Sequence, residues 1–243
     1  MTSRLRLPVP LALVVVVLAA VALIASTAHV PADAATRTIT LGGVKVRVTD
    51  KTQQVVTINR SSGTRARATY WRKTAKGWDA RRTTKNARIG SGGLVAGHQR
   101  KQWTSTTPIG TYKMREAFGN SAAPAGTDLP FHRVRSGDYW VQDNASRYYN
   151  QLRNKSQGGF RWSLPSSKRN SSEYLPSYGT QYRWAIVIDF NRPVAKRKKG
   201  SGIFLHVNGR GATGGCVSVP KAFMRDMMEL LDPKYAPRIA IGR

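Results

Sequence analysis

Two reactive side chains stand ten positions apart in the stretch "GSGIFLHVNGRGATGGCVSVP", Gly200 to Pro220: His206 and Cys216, the latter the only cysteine of the 243-residue chain. A thiol that attacks an amide needs a base to take its proton and donors for the oxyanion that forms. His206 can supply the first, and the backbone N–H groups of Gly214, Gly215 and Cys216 the second. Alternation in "GIFLHV" puts Ile203, Leu205 and Val207 on one face and Phe204 and His206 on the other, so the imidazole can leave the core at a strand end. "NGRGATGG" then returns the chain to the thiol with four glycines in eight residues. The bland alternative is a small buried cysteine beside a satisfied histidine, and this spacing alone is a weak signal.

Chain order narrows the chemistry. No histidine follows Cys216, which excludes papain-like proteases, whose base comes after the nucleophile. A metal site is not expected, because one Cys and the widely spaced His98, His132 and His206 show no ligand pattern. No cofactor is called for. His98 and His132 read as loop residues, with His98 the better placed of the two to touch a ligand.

The setting is extracytoplasmic. Residues 1–35 begin with two arginines, continue through an apolar run from Leu11 to Ala25, and end in the small-residue pattern Ala32-Asp33-Ala34, as secretory signal peptides do. The run is shorter than the ~20 residues that a spanning helix needs, so an uncleaved anchor is the weaker reading. A single cysteine makes no internal disulfide, and its retention in an exported chain favours a reactive thiol. The formal net charge is +28, and the leader carries only Arg4, Arg6 and Asp33 of it. Outside a membrane, a charge of this sign suits anionic cell-wall polymers. Nucleic acid is not expected as a partner, since no recognition motif accompanies the charge.

The elements that must hold the site are mostly strands. Residues 36–49 form an N-terminal stretch, and "QQVVTINR" and "ARATYWRKTAKGWDA" alternate as short antiparallel strands do. "TSTTPIGTYKM" reads as a Thr-Pro-x-Gly turn before a strand, and a loop follows from Arg115. Asp143 or Asn144 is a candidate cap for a short helix. Residues 155–182, rich in Ser, Gly and Pro, read as a long surface excursion. "RWAIVIDF" and "RIAIG" are strands, and "NRPVAKRKKGS" is a solvated connector. One helix is expected after Pro220, with Phe223, Met227, Leu230 and Leu231 on its buried face and Pro233 ending it. Its N-terminus would favour the thiolate weakly, four residues separating Pro220 from Cys216.

The pieces "TPIGTYKM" (107–114), "GSGIFLHV" (200–207) and "TGGCVSV" (213–219), in that order, resemble the L,D-transpeptidase catalytic domain family of bacterial cell-wall enzymes. Softer likeness runs through residues 87–101, 140–150 and the strand "WAIVIDFN", so the resemblance covers about residue 50 to the end. It implies a mainly β fold, a mixed β-barrel or sandwich with one helix after the active-site cysteine, and a catalytic domain over 50–243. It also implies Cys216 as nucleophile and His206 as base. The chain departs from the commonest motif, Ser/Thr-His-Gly-Cys with an arginine two residues on: Gly214 stands at the histidine and Ser218 at the arginine.

The chemistry implied is transfer of a tetrapeptide stem to Cys216 with loss of D-alanine. Transfer then goes to an amine, giving a 3→3 cross-link, or to water, giving a carboxypeptidase. Arg210 is a candidate for the stem carboxylate in place of the absent arginine, against a solvated loop charge. Asn208 or a backbone carbonyl is a candidate to orient His206. Ser218, Tyr112 and His98 complete the candidate substrate contacts, with Tyr112, Trp140 and Tyr149 equally suited to core packing. The protein is expected to act as a monomer. The alternatives are a non-catalytic basic wall-binding module and a sortase-like transpeptidase, whose Thr-Leu-x-Thr-Cys approach is absent here.

Overall fold

A computed structural model describes Met1 and residues 35–243, so the expected leader lies almost wholly outside the described residues. The chain after it is built from strands because β-branched and aromatic residues recur at every second position. A hairpin, β1 (Arg37–Leu41) and β2 (Val44–Val48), turns at Gly42 and Gly43, both at positive φ. An antiparallel meander follows: β3 (Gln54–Ser62), β4 (Arg65–Thr74) and β5 (Gly77–Arg88). These strands are longer than the short ones expected, since register shifts within each pairing absorb the breaks in alternation.

Short β6 (Leu94–Ala96) leads to β7 (Thr107–Gly119), the longest strand, and to β8 (Phe131–Arg133). The Thr-Pro-x-Gly element lies inside β7 rather than in a turn before it. Pro108 sits where β7 pairs with β6, and Gly110, at φ 149°, lies where β7 passes to its next partner. A side chain there would begin 2.6 Å from Tyr112 Oη. The loop expected from Arg115 starts only after Gly119, because Arg115 and Glu116 sit on a strand that stays paired.

The insert between β8 and the next barrel strand holds β9 (Asp138–Trp140), β10 (Leu152–Asn154) and β11 (Glu173–Tyr174), which form their own antiparallel sheet. No helix starts at Asp143 or Asn144. The Asp143 carboxylate accepts from the Ala145 N–H and twice from the Arg161 guanidinium, which closes a turn instead. Then come β12 (Ala185–Ile188), β13 (Phe204–Val207), β14 (Val217–Val219), the helix α1 (Lys221–Leu230) and β15 (Arg238–Gly242).

Strand pairing runs β12-β13-β14-β5-β4-β3-β15-β7 and closes where β7 meets β12, a mixed eight-strand ring with β13–β14 and β15–β3 parallel. Inside it, Val56, Ile58, Ala68, Leu205 and Val207 pack against Phe223, Met224, Met227 and Met228 of α1. Leu230 only borders this core, and Leu231, just past the helix, is fully buried. The hairpin β1–β2 covers the outer face of β3 and β15 through Val44, Val46 and Val48. The insert covers another part of the outer face: Trp140, Leu175 and Tyr182 pack on Phe118, Ala185, Val187 and Phe204. Cys216 belongs to this second, outer cluster.

Met227 is wholly buried at the junction of α1 and the barrel. Replacing it with alanine should cost about 2–5 kcal/mol of unfolding free energy in a denaturant titration, with the slope unchanged. A loss below about 1 kcal/mol would mean that α1 does not close the core.

Candidate active site

Register explains how the thiol and the imidazole meet. Strands β13 and β14 run parallel with Leu205 opposite Val217 and His206 opposite Ser218. Leu205 and Val217 therefore face the barrel interior, and His206 and Ser218 face outward. Cys216 precedes Val217, so it shares the outward face with His206, one strand over and two residues back. Strand spacing and rise put their Cα atoms about 8 Å apart, within reach of two inward-leaning side chains. Both line a cavity of about 690 Å³ between the barrel and the insert.

His206 leaves the barrel core as expected, yet it is only 6% exposed, because the insert roofs this face. Its Nδ1 lies 2.8 Å from the Val207 carbonyl, which can only accept, so Nδ1 carries the proton and Nε2 keeps its lone pair. A backbone carbonyl thus orients the ring. Asn208 does not: its amide nitrogen donates to the Asn86 carbonyl. The Tyr182 ring stands edge-on to the imidazole at 5.3 Å. Burial holds the imidazole down, at about 4.

Cys216 Sγ donates to the Gly202 carbonyl at 3.2 Å and accepts from the Phe204 N–H at 3.4 Å. Burial pushes the thiol up to about 12, and the neighbouring Glu173 carboxylate adds to the shift. Along the chain, β14 and Pro220 separate the thiol from the first residue of α1. Both shifts favour a neutral thiol beside a neutral imidazole.

The loop before the thiol is pinned from below. Thr107 Oγ1 accepts from the Gly90 N–H and donates to the Gly215 carbonyl, which gives the Thr-Pro-x-Gly element its task. Thr213 Oγ1 donates to the Cys216 carbonyl and accepts from the Gly215 N–H, while Arg88 reaches the carbonyls of Gly209 and Gly211. Of the three expected oxyanion donors, Gly215 is therefore committed to Thr213. Among the described residues, the N–H groups of Gly214 and Cys216 donate to no protein acceptor.

The other sequence candidates divide. Arg210 is exposed at the cavity rim. Ser218, where β14 pairs with β5, is fully buried, has no hydrogen-bond partner for its hydroxyl among the described residues and does not line the cavity. Tyr112 and His98 lie at a separate shallow depression, where Tyr112 donates to the Ile109 carbonyl and packs edge-on against Phe190. Trp140 and Tyr149 are core residues whose polar atoms bond to Asn150 and Gln102.

Three cavity residues carry no sequence signal of their own: Arg100, Glu173 and Tyr182. They lie 116, 43 and 34 positions before the cysteine and reach it only through the fold. Tyr182 donates to Glu173 Oε1, and Gln142 Nε2 donates to Oε2 at 3.1 Å. Burial raises the Glu173 carboxyl to about 7. The excursion 155–182 is thus the roof of the site: it contributes Glu173 and Tyr182, together with Trp162, Leu164 and Tyr178.

The chain matches the L,D-transpeptidase catalytic domain family (YkuD) over residues 53–239, and it belongs to that family. Neither the curated proteins nor the solved structures include a match. The family consists of cysteine-dependent L,D-transpeptidases that act on peptidoglycan stem peptides.

The two shifted groups oppose each other in pH. Above about 6.5 neither the folded nor the unfolded imidazole is protonated, but between 6.5 and about 4 only the unfolded one gains a proton, so stability falls as pH falls. Glu173 acts the other way between its ordinary 4.5 and about 7, where only the unfolded carboxyl has lost its proton. Relative to wild type, thermal midpoints measured from pH 4 to 7.5 should tilt down toward high pH in His206→Gln and toward low pH in Glu173→Gln. Alkylation of Cys216 by iodoacetamide should accelerate about tenfold per pH unit from 7 to 9. A plateau below pH 8 would contradict a thiol raised by burial.

Proposed function

We propose that the protein is an exported cysteine acyl-transferase that acts on peptidoglycan tetrapeptide stems. The observation that carries this reading is the placement of Cys216 and His206 on one face of adjacent parallel strands, both lining one cavity. His206 Nε2 takes the Sγ proton as sulfur attacks the carbonyl carbon of the amide that joins the stem's diamino acid to D-alanine. The neutral resting pair moves this proton as the S–C bond forms, so no free thiolate accumulates. The oxyanion lies against the free N–H groups of Gly214 and Cys216. The C–N bond then breaks, the proton on Nε2 passes to the departing amine, and a thioester remains.

An amine from a second stem, or water, attacks the thioester, gives a proton to Nε2, and the thiol reforms. The open, exposed loop from Arg210 to Gly214 leaves a route for either acceptor. Residues 1–35 direct the chain across the membrane, and the net charge of +28 holds it near anionic wall polymers.

Intact-mass analysis after incubation with purified disaccharide-tetrapeptide tests the reading. Wild type should gain the acyl mass and release D-alanine, Cys216→Ala should do neither, and His206→Gln should acylate at least ~100-fold more slowly. A dimeric product would identify an amine acceptor and a trimmed one would identify water. If wild type and Cys216→Ala both bind wall material and neither acylates, the protein is a binding module.

A further inference from the structure

Arg100 is a buried cation without a counter-ion. It is 4% exposed, and among the described residues no carboxylate pairs with it. A guanidinium keeps its charge under burial, so an unpaired one at this depth is a standing cost. The fold nevertheless holds it rigidly. Nε donates to the Thr106 carbonyl at 2.8 Å and Nη1 to the Lys199 carbonyl at 3.2 Å, while the Phe190 ring lies beneath at 5.4 Å.

Backbone without side chains closes over the remaining edges. A Cβ at Gly200 would sit 1.4 Å from Nη1, and one at Gly215 would sit 2.9 Å from Nη2. Both glycines have positive φ, 114° and 128°. The slot therefore exists only because these two positions are glycine. Two N–H groups of Nη2 and one of Nη1 remain uncommitted, beside the residue that precedes the nucleophile, and Arg100 lines the same cavity as Cys216. Burial pulls its own pKa down, and the nearby thiol works against that shift.

The scissile amide nitrogen belongs to the leaving D-alanine, whose carboxylate lies two bonds further on. A fixed guanidinium next to the nucleophile is placed for that group, and guanidinium with carboxylate is the strong, directional pairing. The expected substitute for the missing motif arginine, Arg210, is exposed, and among the described residues no hydrogen bond or ion pair holds its side chain. We propose that Arg100 receives the terminal carboxylate of the leaving residue and so restricts the site to peptides ending in a free acid. This assignment rests on the acyl-transfer reading above and names the residue that sets its substrate class.

The test varies the substrate as well as the protein. Acylation rates are measured with disaccharide-tetrapeptide and with its C-terminal carboxamide for wild type, Arg100→Met and Arg100→Lys. Wild type should prefer the acid roughly 10- to 100-fold, the range of a hydrogen bond to a charged partner. In Arg100→Met the acid should lose its advantage, so that the acid-to-amide rate ratio falls to about one, and Arg100→Lys should keep a reduced preference. If Arg100→Met slows both substrates equally, Arg100 acts on the thiolate or oxyanion and the assignment is wrong. If the methionine variant does not fold, the wild-type and lysine preferences still decide, since equal rates for acid and amide in wild type overturn it. If wild type acylates with neither peptide, the acyl-transfer reading itself falls and takes this assignment with it.

Discussion

The parallel pairing of β13 with β14 places every other part of the site. Adjacent parallel strands keep side chains two residues apart on the same face. The register of Leu205 with Val217 therefore sends two residues into the barrel and puts His206 and Cys216 together on its outside. A one-residue slip would bury the imidazole in the core and turn Leu205 toward the cavity. The slip is opposed on both sides. Val207, Val217 and Val219 fill the interior against α1, and Thr107 and Thr213 hold the carbonyls of Gly215 and Cys216 from the next layer. Core packing and the meeting of thiol and imidazole thus depend on the same strand register.

Depth governs the electrostatics. Cys216 lies in an apolar cluster with Phe118, Trp140, Leu175 and Phe204, His206 packs against Tyr182 of that cluster, and burial moves both away from their charged forms, the thiol upward and the imidazole downward. Arg100 and Glu173 then act at close range on the buried sulfur, one favouring negative charge there and the other opposing it. Tyr182 links the two halves of this arrangement: it donates to Glu173, and its ring packs edge-on against His206. A neutral thiol and imidazole under a fixed cation suit a proton transfer that accompanies attack rather than precedes it.

The roof makes this depth possible. Residues 138–182 form a separate small sheet and a long irregular segment anchored by Trp140, Leu175 and Tyr182 on the outer face of the barrel. Without it, the face that carries the thiol would be open to water. The segment is poor in regular structure because it serves two surfaces at once, an apolar one against the barrel and a polar one toward the cavity. Asp143 with Arg161, and Asn154 with Asp138, tie its turns by side chains where ladder hydrogen bonds are lacking.

Local sequence marked the long strands, the helix after Pro220, and a thiol and an imidazole as the candidate pair, since period-two alternation, the Pro220 start and one unpaired thiol behind a glycine loop are all short-range signals. The Thr-Pro-x-Gly motif was legible as a motif but not as a strap, because its partner carbonyl lies 108 residues away at Gly215. Ser218 and Tyr112 looked available from sequence, but Ser218 is fully buried and Tyr112 lies at a different depression against Phe190, since placement depends on the tertiary neighbours and not on the residue's own type. Arg100, Glu173 and Tyr182 had nothing local to mark them. They gather at the thiol because ring closure through β7 and the return of the insert bring distant segments to one face. Alternation and motif order could specify a β-rich cysteine enzyme, whereas the charges around its sulfur were decided by tertiary structure, because a field depends on distances in space and not along the chain.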